Sequence, residues 1–133
     1  MKTARILAVA LLIFASGAAL RVAQSQQTGI KRSELQRHDL SVPGCEAVQV
    51  RADFPPGAAV PRHTHPGDEL VYVLEGTLEF QLEGQAPVTV KAGEVFFIPA
   101  GTVHTAKNVS SGNSAAMSTY IVEKGKPLLT LAQ

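Results

Sequence analysis

Apolar and polar residues alternate along short stretches of this chain, and the alternation sets the expected elements. Val48, Val50, Ala52 and Phe54 interleave with Gln49, Arg51 and Asp53, which at period two gives one apolar and one polar strand face. Leu78, Phe80 and Leu82 against Glu79, Gln81 and Glu83 repeat the arrangement. Between Glu69 and Glu75 the run Leu70 to Leu74 is apolar on both faces, the pattern of a strand covered on both sides. Val95 to Ile98 reads as a further buried strand. Glycine and proline punctuate these runs at Pro55-Pro56-Gly57, Pro66-Gly67, Gly76, Gly84, Pro87, Gly93, Pro99, Gly101 and Gly112. No segment sustains three turns of helical periodicity. Eight or more short strands so spaced predict an all-β sandwich or barrel, in which neighbouring strands bury their apolar faces on one another.

The N-terminal stretches break this pattern. Lys2 and Arg5 precede Ile6 to Leu20, a run without a charge, and small and polar residues follow at Ala23-Gln24-Ser25. That layout predicts a secretory signal peptide over residues 1–25 and a periplasmic or secreted protein. A spanning helix needs roughly 20 apolar residues, so Arg21 arrives too early for a stable membrane anchor. Residues 26–42 are polar and weakly patterned, with Ile30, Leu35 and Leu40 spaced apart, and are expected to form a lead-in.

Charge and cysteine content remove whole classes of function. Residues 1–25 hold three of the twelve basic side chains and no acid, leaving nine basic against eleven acidic residues in the rest. That near-balance excludes a nucleic-acid footprint, which needs clustered Lys and Arg. One cysteine, Cys45, excludes an internal disulfide framework and a CxxC zinc site. No activating base neighbours it in sequence, and it reads as a small packed residue.

The candidate chemistry lies in two windows that hold three of the four histidines. The first runs from Gly57 through His63, His65 and Glu69 to Gly76; the second from Gly93 through Pro99, Gly101 and His104 to Asn108. His63 and His65 are two apart, so on a strand both imidazoles project from one face. Pro66-Gly67 bends the chain and lets Glu69 return a carboxylate to the same region. Two strands folded side by side then present three imidazoles and one carboxylate to a common point, a donor set suited to Fe, Mn, Ni, Co or Zn as divalent ions. Four protein ligands leave one or two positions for water or substrate. His38, in the polar lead-in, reads as a solvated surface residue.

These windows resemble the paired motifs of the cupin superfamily, G-x5-H-x-H-x3-E-x6-G and G-x5-P-x-G-x2-H-x3-N, with no departure at Gly57, His63, His65, Glu69, Gly76, Gly93, Pro99, Gly101, His104 or Asn108. Only Thr77 to Ala92 separates them, a spacing similar to that of compact single-domain cupins. The resemblance implies a double-stranded β-helix, a small jelly-roll barrel over residues 43–133. It further implies one divalent transition metal per chain, held by His63, His65, Glu69 and His104. Gly57, Gly76, Gly93, Pro99 and Gly101 would form turns, and Asn108 is assigned to strand-end structure ahead of the metal.

A metal-dependent enzyme of dioxygenase, lyase or isomerase type acting on a small organic molecule is the leading expectation. A periplasmic binding or sensing module with a non-catalytic metal is the alternative. Phe54, Val71, Val73, Phe97 and Met117 are the candidate pocket wall, and no catalytic side chain is assigned. Tyr72, Asp68, Arg62 and Arg51 could each reach a pocket mouth, although each reads better as exposed. Met117 to Val122 and Leu128 to Leu131 are apolar runs beyond the motifs, and with the resemblance they predict a homodimer paired through outer sheets.

Overall fold

The computed structural model describes residues 29–133. They form ten strands: β1 (Lys31–Asp39), β2 (Cys45–Phe54), β3 (Ala59–Thr64), β4 (Gly67–Glu75), β5 (Thr77–Leu82), β6 (Val88–Lys91), β7 (Val95–Ile98), β8 (His104–Asn108), β9 (Ser114–Glu123) and β10 (Thr130–Leu131). One sheet has the order β1-β2-β9-β4-β7 and the other β10-β3-β8-β5-β6. All pairings are antiparallel. Two such sheets packed face to face, with strands crossing from one to the other, make the expected jelly-roll double-stranded β-helix. No helix occurs among the described residues.

The alternation read from the sequence decides what the sheets enclose. On β2, Val48, Val50 and Phe54 are buried; on β5, Leu78, Phe80 and Leu82 are buried. Phe54, Val60, Val71, Val73, Leu78, Phe80 and Ile98 meet between the sheets in one core, with Phe96 stacked on Phe80 at 5.0 Å between ring centres. A second cluster joins Val48, Val50, Tyr120 and Val122 under Leu128. The motif glycines Gly57, Gly76, Gly93 and Gly101 all have positive φ, as turn formers should. At Gly76 the space is closed as well: a Cβ there would lie 2.2 Å from Ser114 Oγ and 2.6 Å from the Asn113 carbonyl.

Three expectations are corrected. The stretch expected as a lead-in contains β1, which pairs with β2 from Lys31↔Asp53 to Asp39↔Glu46. It escaped notice because its face toward the other sheet is charged, with Arg37 bridging Glu34 and Glu46, as edge strands often are. The run Leu70 to Leu74 is buried on one side only, at Val71 and Val73, while Leu70, Tyr72 and Leu74 are exposed. Val95 and Phe97 are exposed too, so β7 buries only Ile98 fully.

Of the two runs expected to offer a free edge, the first is paired on both sides and the second forms the edge of its sheet. Met117 to Val122 lies in β9, hydrogen-bonded to β2 on one side and β4 on the other. The terminal run folds back, with Thr130 and Leu131 paired to Thr64 and His63.

Candidate metal centre

β3 delivers two histidines to the barrel interior through an irregularity. Its pairing with β8 slips between Val60 and His63. Residues three apart on a regular strand face opposite ways, so this bulge lets both Val60 and His63 turn inward. His63 then sits opposite His104, the first residue of β8, with ring centres 4.1 Å apart. His65 follows one alternation later, its ring 4.8 Å from that of His63 and 5.1 Å from that of His104. A bond from Gly101 N–H to the His65 carbonyl, 3.1 Å, ties the first motif to the turn before His104. Glu69 comes from the opposite sheet, on β4 beside Tyr120 of β9.

Each imidazole is oriented by its Nδ1. His63 Nδ1 lies 2.7 Å from the Pro61 carbonyl, His65 Nδ1 2.6 Å from the Leu128 carbonyl and His104 Nδ1 2.9 Å from the Thr102 carbonyl. A carbonyl oxygen can only accept, so each Nδ1 carries hydrogen and each Nε2 of a neutral ring keeps a lone pair. Such a backbone partner behind the ring is the usual support for a metal-ligating histidine. The ligand atoms of His63, His65 and His104 all lie within 4.8 Å of one another, close enough to hold a metal ion.

Glu69 completes the cluster with a second acceptor. Its Oε2 is 3.2 Å from His65 Nε2 and 3.4 Å from His104 Nε2. His65 Nε2 and Glu69 Oε2 are both buried and lack a hydrogen-bond partner. Two buried lone-pair atoms facing each other at this distance repel unless a positive charge, a metal ion or a second ring proton, lies between them, and leaving both unmet is costly. The donor set of three imidazoles and one carboxylate therefore fits a divalent transition ion.

Burial and the close contacts also shift the ionisable groups of the centre. Burial, reinforced by neighbouring His104, pushes the His63 pKa down to about 4, so its ring is neutral near pH 7. Burial alone would raise the Glu69 carboxyl, but His104 and His65 beside it hold the net value well below the ordinary range. Burial raises the Tyr120 phenol, and nearby Glu69 adds to the shift.

Of the pocket wall expected, only Phe54 lines the cavity, and Val71, Val73, Phe97 and Met117 do not. Phe54, Val60, Leu78, Phe80, Ala106 and Ala116 surround His63, Glu69 and His104 about a cavity of about 30 Å³, room for roughly a water or two. Phe97 and Met117 lie on the opposite face of their sheet, away from the histidines. Arg51, Arg62, Asp68 and Tyr72 also do other work: Arg51 pairs with Asp53, Arg62 with Glu83, Asp68 accepts the Ala100 N–H, and Tyr72 is exposed. Asn108 is structural, as assigned. Its amide donates to the carbonyls of Phe54 and Gly112, and its oxygen accepts from Ser110 and Ser114. His38 is exposed on β1 and Cys45 half-buried on β2.

Sequence reasoning missed Tyr120, Ser118, Arg32 and the Leu128 carbonyl. The Tyr120 ring lies 4.7 Å from that of His65, tilted by 58°, and with Ser118 it lines the metal cavity. A wider mouth of about 240 Å³ opens between Arg32, Val50, His65, Tyr120, Leu128 and Leu129. The signal for Tyr120 was parity, since Ser114, Ala116, Ser118, Tyr120 and Val122 all face inward on β9.

The chain is 40% identical over 87 residues to germin-like protein subfamily 2 member 2 of Arabidopsis thaliana, covering 59% of this chain and 40% of that protein. It thus spans about two fifths of the length of that curated relative. A double-stranded β-helix protein from Klebsiella pneumoniae superposes with a TM-score of 0.65 at 22% identity, over 78% of this chain and 84% of that one. An oxalate oxidase solved with the substrate analogue glycolate superposes with a TM-score of 0.63 at 26% identity, over 78% of this chain and 55% of that one. Residues 50–130 match the cupin domain family, and with both motifs on one jelly-roll barrel the chain belongs to that family.

Proposed function

We propose that this cupin is a metal-dependent enzyme acting on a small organic molecule, of dioxygenase, lyase or isomerase type. One divalent ion (Fe, Mn, Ni or Zn) would be held by His63, His65, Glu69 and His104. The observation that carries the reading is the buried, unpartnered pair His65 Nε2 and Glu69 Oε2. When bound, such an ion polarises substrate oxygens as a Lewis acid. The chain's own residues do the rest. Three Nδ1–H donors fix the imidazoles, Ser118 and Tyr120 line the space beside Glu69, and Phe54, Leu78 and Phe80 give the cavity an apolar wall. Similarity to an oxalate oxidase holding glycolate supports a small oxygen-rich substrate.

Protein loaded in turn with Fe(II), Mn(II), Ni(II) and Zn(II) should turn over at least one member of a panel of small acids, flavonols, thiols and uronates. Ligand binding without turnover by any metal form would leave the binding or sensing module. Export is proposed on the layout of residues 1–25, which lie outside the described residues. Mass spectrometry of the native N-terminus should find it near Gln26; an intact Met1 would refute export.

Self-association is proposed through the outer face of the first sheet. There Met117, Tyr72 and Val95 form one cross-strand row, and Thr119, Leu70 and Phe97 the next. Val95 is 73% exposed, Phe97 53% and Leu70 49%, around an apolar hollow of about 500 Å³. A second copy is the partner that suits a strand apolar on both faces, and a two-fold pairing would cover this patch.

A further inference from the structure

Arg32 is placed where a recognition residue for an anionic ligand would stand. It pairs with Ala52 across β1 and β2, and so shares the inward side of the sheet with Ala52 and Val50. It is the residue of β1 that lines both the metal cavity and the mouth that leads to His65. The other arginines among the described residues are engaged: Arg37 by Glu34 and Glu46, Arg51 by Asp53, Arg62 by Glu83. Arg32 has no acidic partner among the described residues, and no acidic side chain lines the mouth.

Charge and size then narrow what it would bind. Neutral histidines cancel none of a divalent ion's charge and Glu69 cancels one unit, so the loaded centre is positive and Arg32 adds a second positive charge. An arginine fork matches a carboxylate bidentately. The cavity of about 30 Å³ admits only a small head group, whereas the mouth of about 240 Å³ admits a short tail. We propose that Arg32 is a specificity-determining residue, which binds the terminal carboxylate of a short-chain organic acid whose other end presents oxygens to the metal. This rests on the metal reading above.

The test uses three hydroxamates on the zinc-loaded full chain, measured by titration calorimetry. Acetohydroxamate reports on the metal head alone, succinic monohydroxamate adds a carboxylate tail, and its methyl ester keeps the length without the charge. Arg32 is exposed at the mouth, so wild-type protein should bind the acid about fivefold more tightly than the ester, the upper range of an exposed charge pair. Arg32→Gln should bring acid and ester within about twofold, and Arg32→Lys should restore part of the difference. Acetohydroxamate affinity, zinc stoichiometry and thermal midpoint should be unchanged in both variants. Equal binding of acid and ester by wild type, or an Arg32→Gln loss that falls equally on acetohydroxamate, would overturn the assignment while the metal reading stands. Absence of zinc or of any acetohydroxamate binding in wild type would overturn both.

Discussion

Replacing Asn108 by Ala separates a structural role for this motif residue from a metal-directed one. Asn108 is 1% exposed and holds the β8–β9 connection from inside. Its amide donates to the Phe54 carbonyl at 2.8 Å and the Gly112 carbonyl at 2.8 Å, and its oxygen accepts from Ser110 N–H at 2.8 Å and Ser114 Oγ at 2.8 Å. Two of these partners keep other bonds, since Ser110 Oγ still reaches the Gly112 carbonyl and Ser114 Oγ still reaches Thr77 N–H. The Phe54 carbonyl and Ser110 N–H lose theirs. At roughly 1 to 3 kcal/mol for each stranded group, about 3 kcal/mol is expected in all. For a domain of this size that lowers the thermal midpoint by roughly 12 to 24 °C. Calorimetric unfolding gives the stability change, and metal titration of the folded variant well below its midpoint gives affinity, which should stay within about twofold. A midpoint shift under about 3 °C together with a large loss of metal affinity would refute the structural reading.

Two further outcomes follow from other parts of the molecule. The metal-free protein should lose stability as pH falls from about 6.5 to about 4, because the unfolded chain protonates His63 throughout that window while the folded chain resists it. Urea titrations should show that slope in wild type and a shallower one in His63→Gln; a flat wild-type profile would contradict it. Phe97→Asp puts a charge at the centre of the exposed patch and should convert a dimer to a monomer in sedimentation at micromolar concentration. A wild-type monomer, or an unaffected variant, would remove that face as the interface.

The strands that build the centre were legible because their burial is one-sided and regular. β2 and β5 alternate without interruption, and the turn glycines stand where positive φ is required. The three histidines and Glu69 were legible from spacing alone, although not the bulge at Val60 to His63 that aims the first of them inward. β1 was not, since a charged edge strand carries no period-two apolar signal. Leu70 to Leu74 and Val95 to Ile98 misled for the opposite reason. Their apolar outer faces are covered by nothing among the described residues, and an apolar run does not by itself report whether both of its faces are packed. Arg32 and the Leu128 carbonyl reach the site only through long-range pairing, which no local pattern reports.

Elemental analysis of the purified protein tests the central claim most directly. The account predicts about one transition metal ion per chain, and its loss in the folded His63→Ala, His65→Ala, His104→Ala triple variant. Full metal stoichiometry in that variant, or none in wild type after exposure to each of Fe(II), Mn(II), Ni(II) and Zn(II), would contradict it.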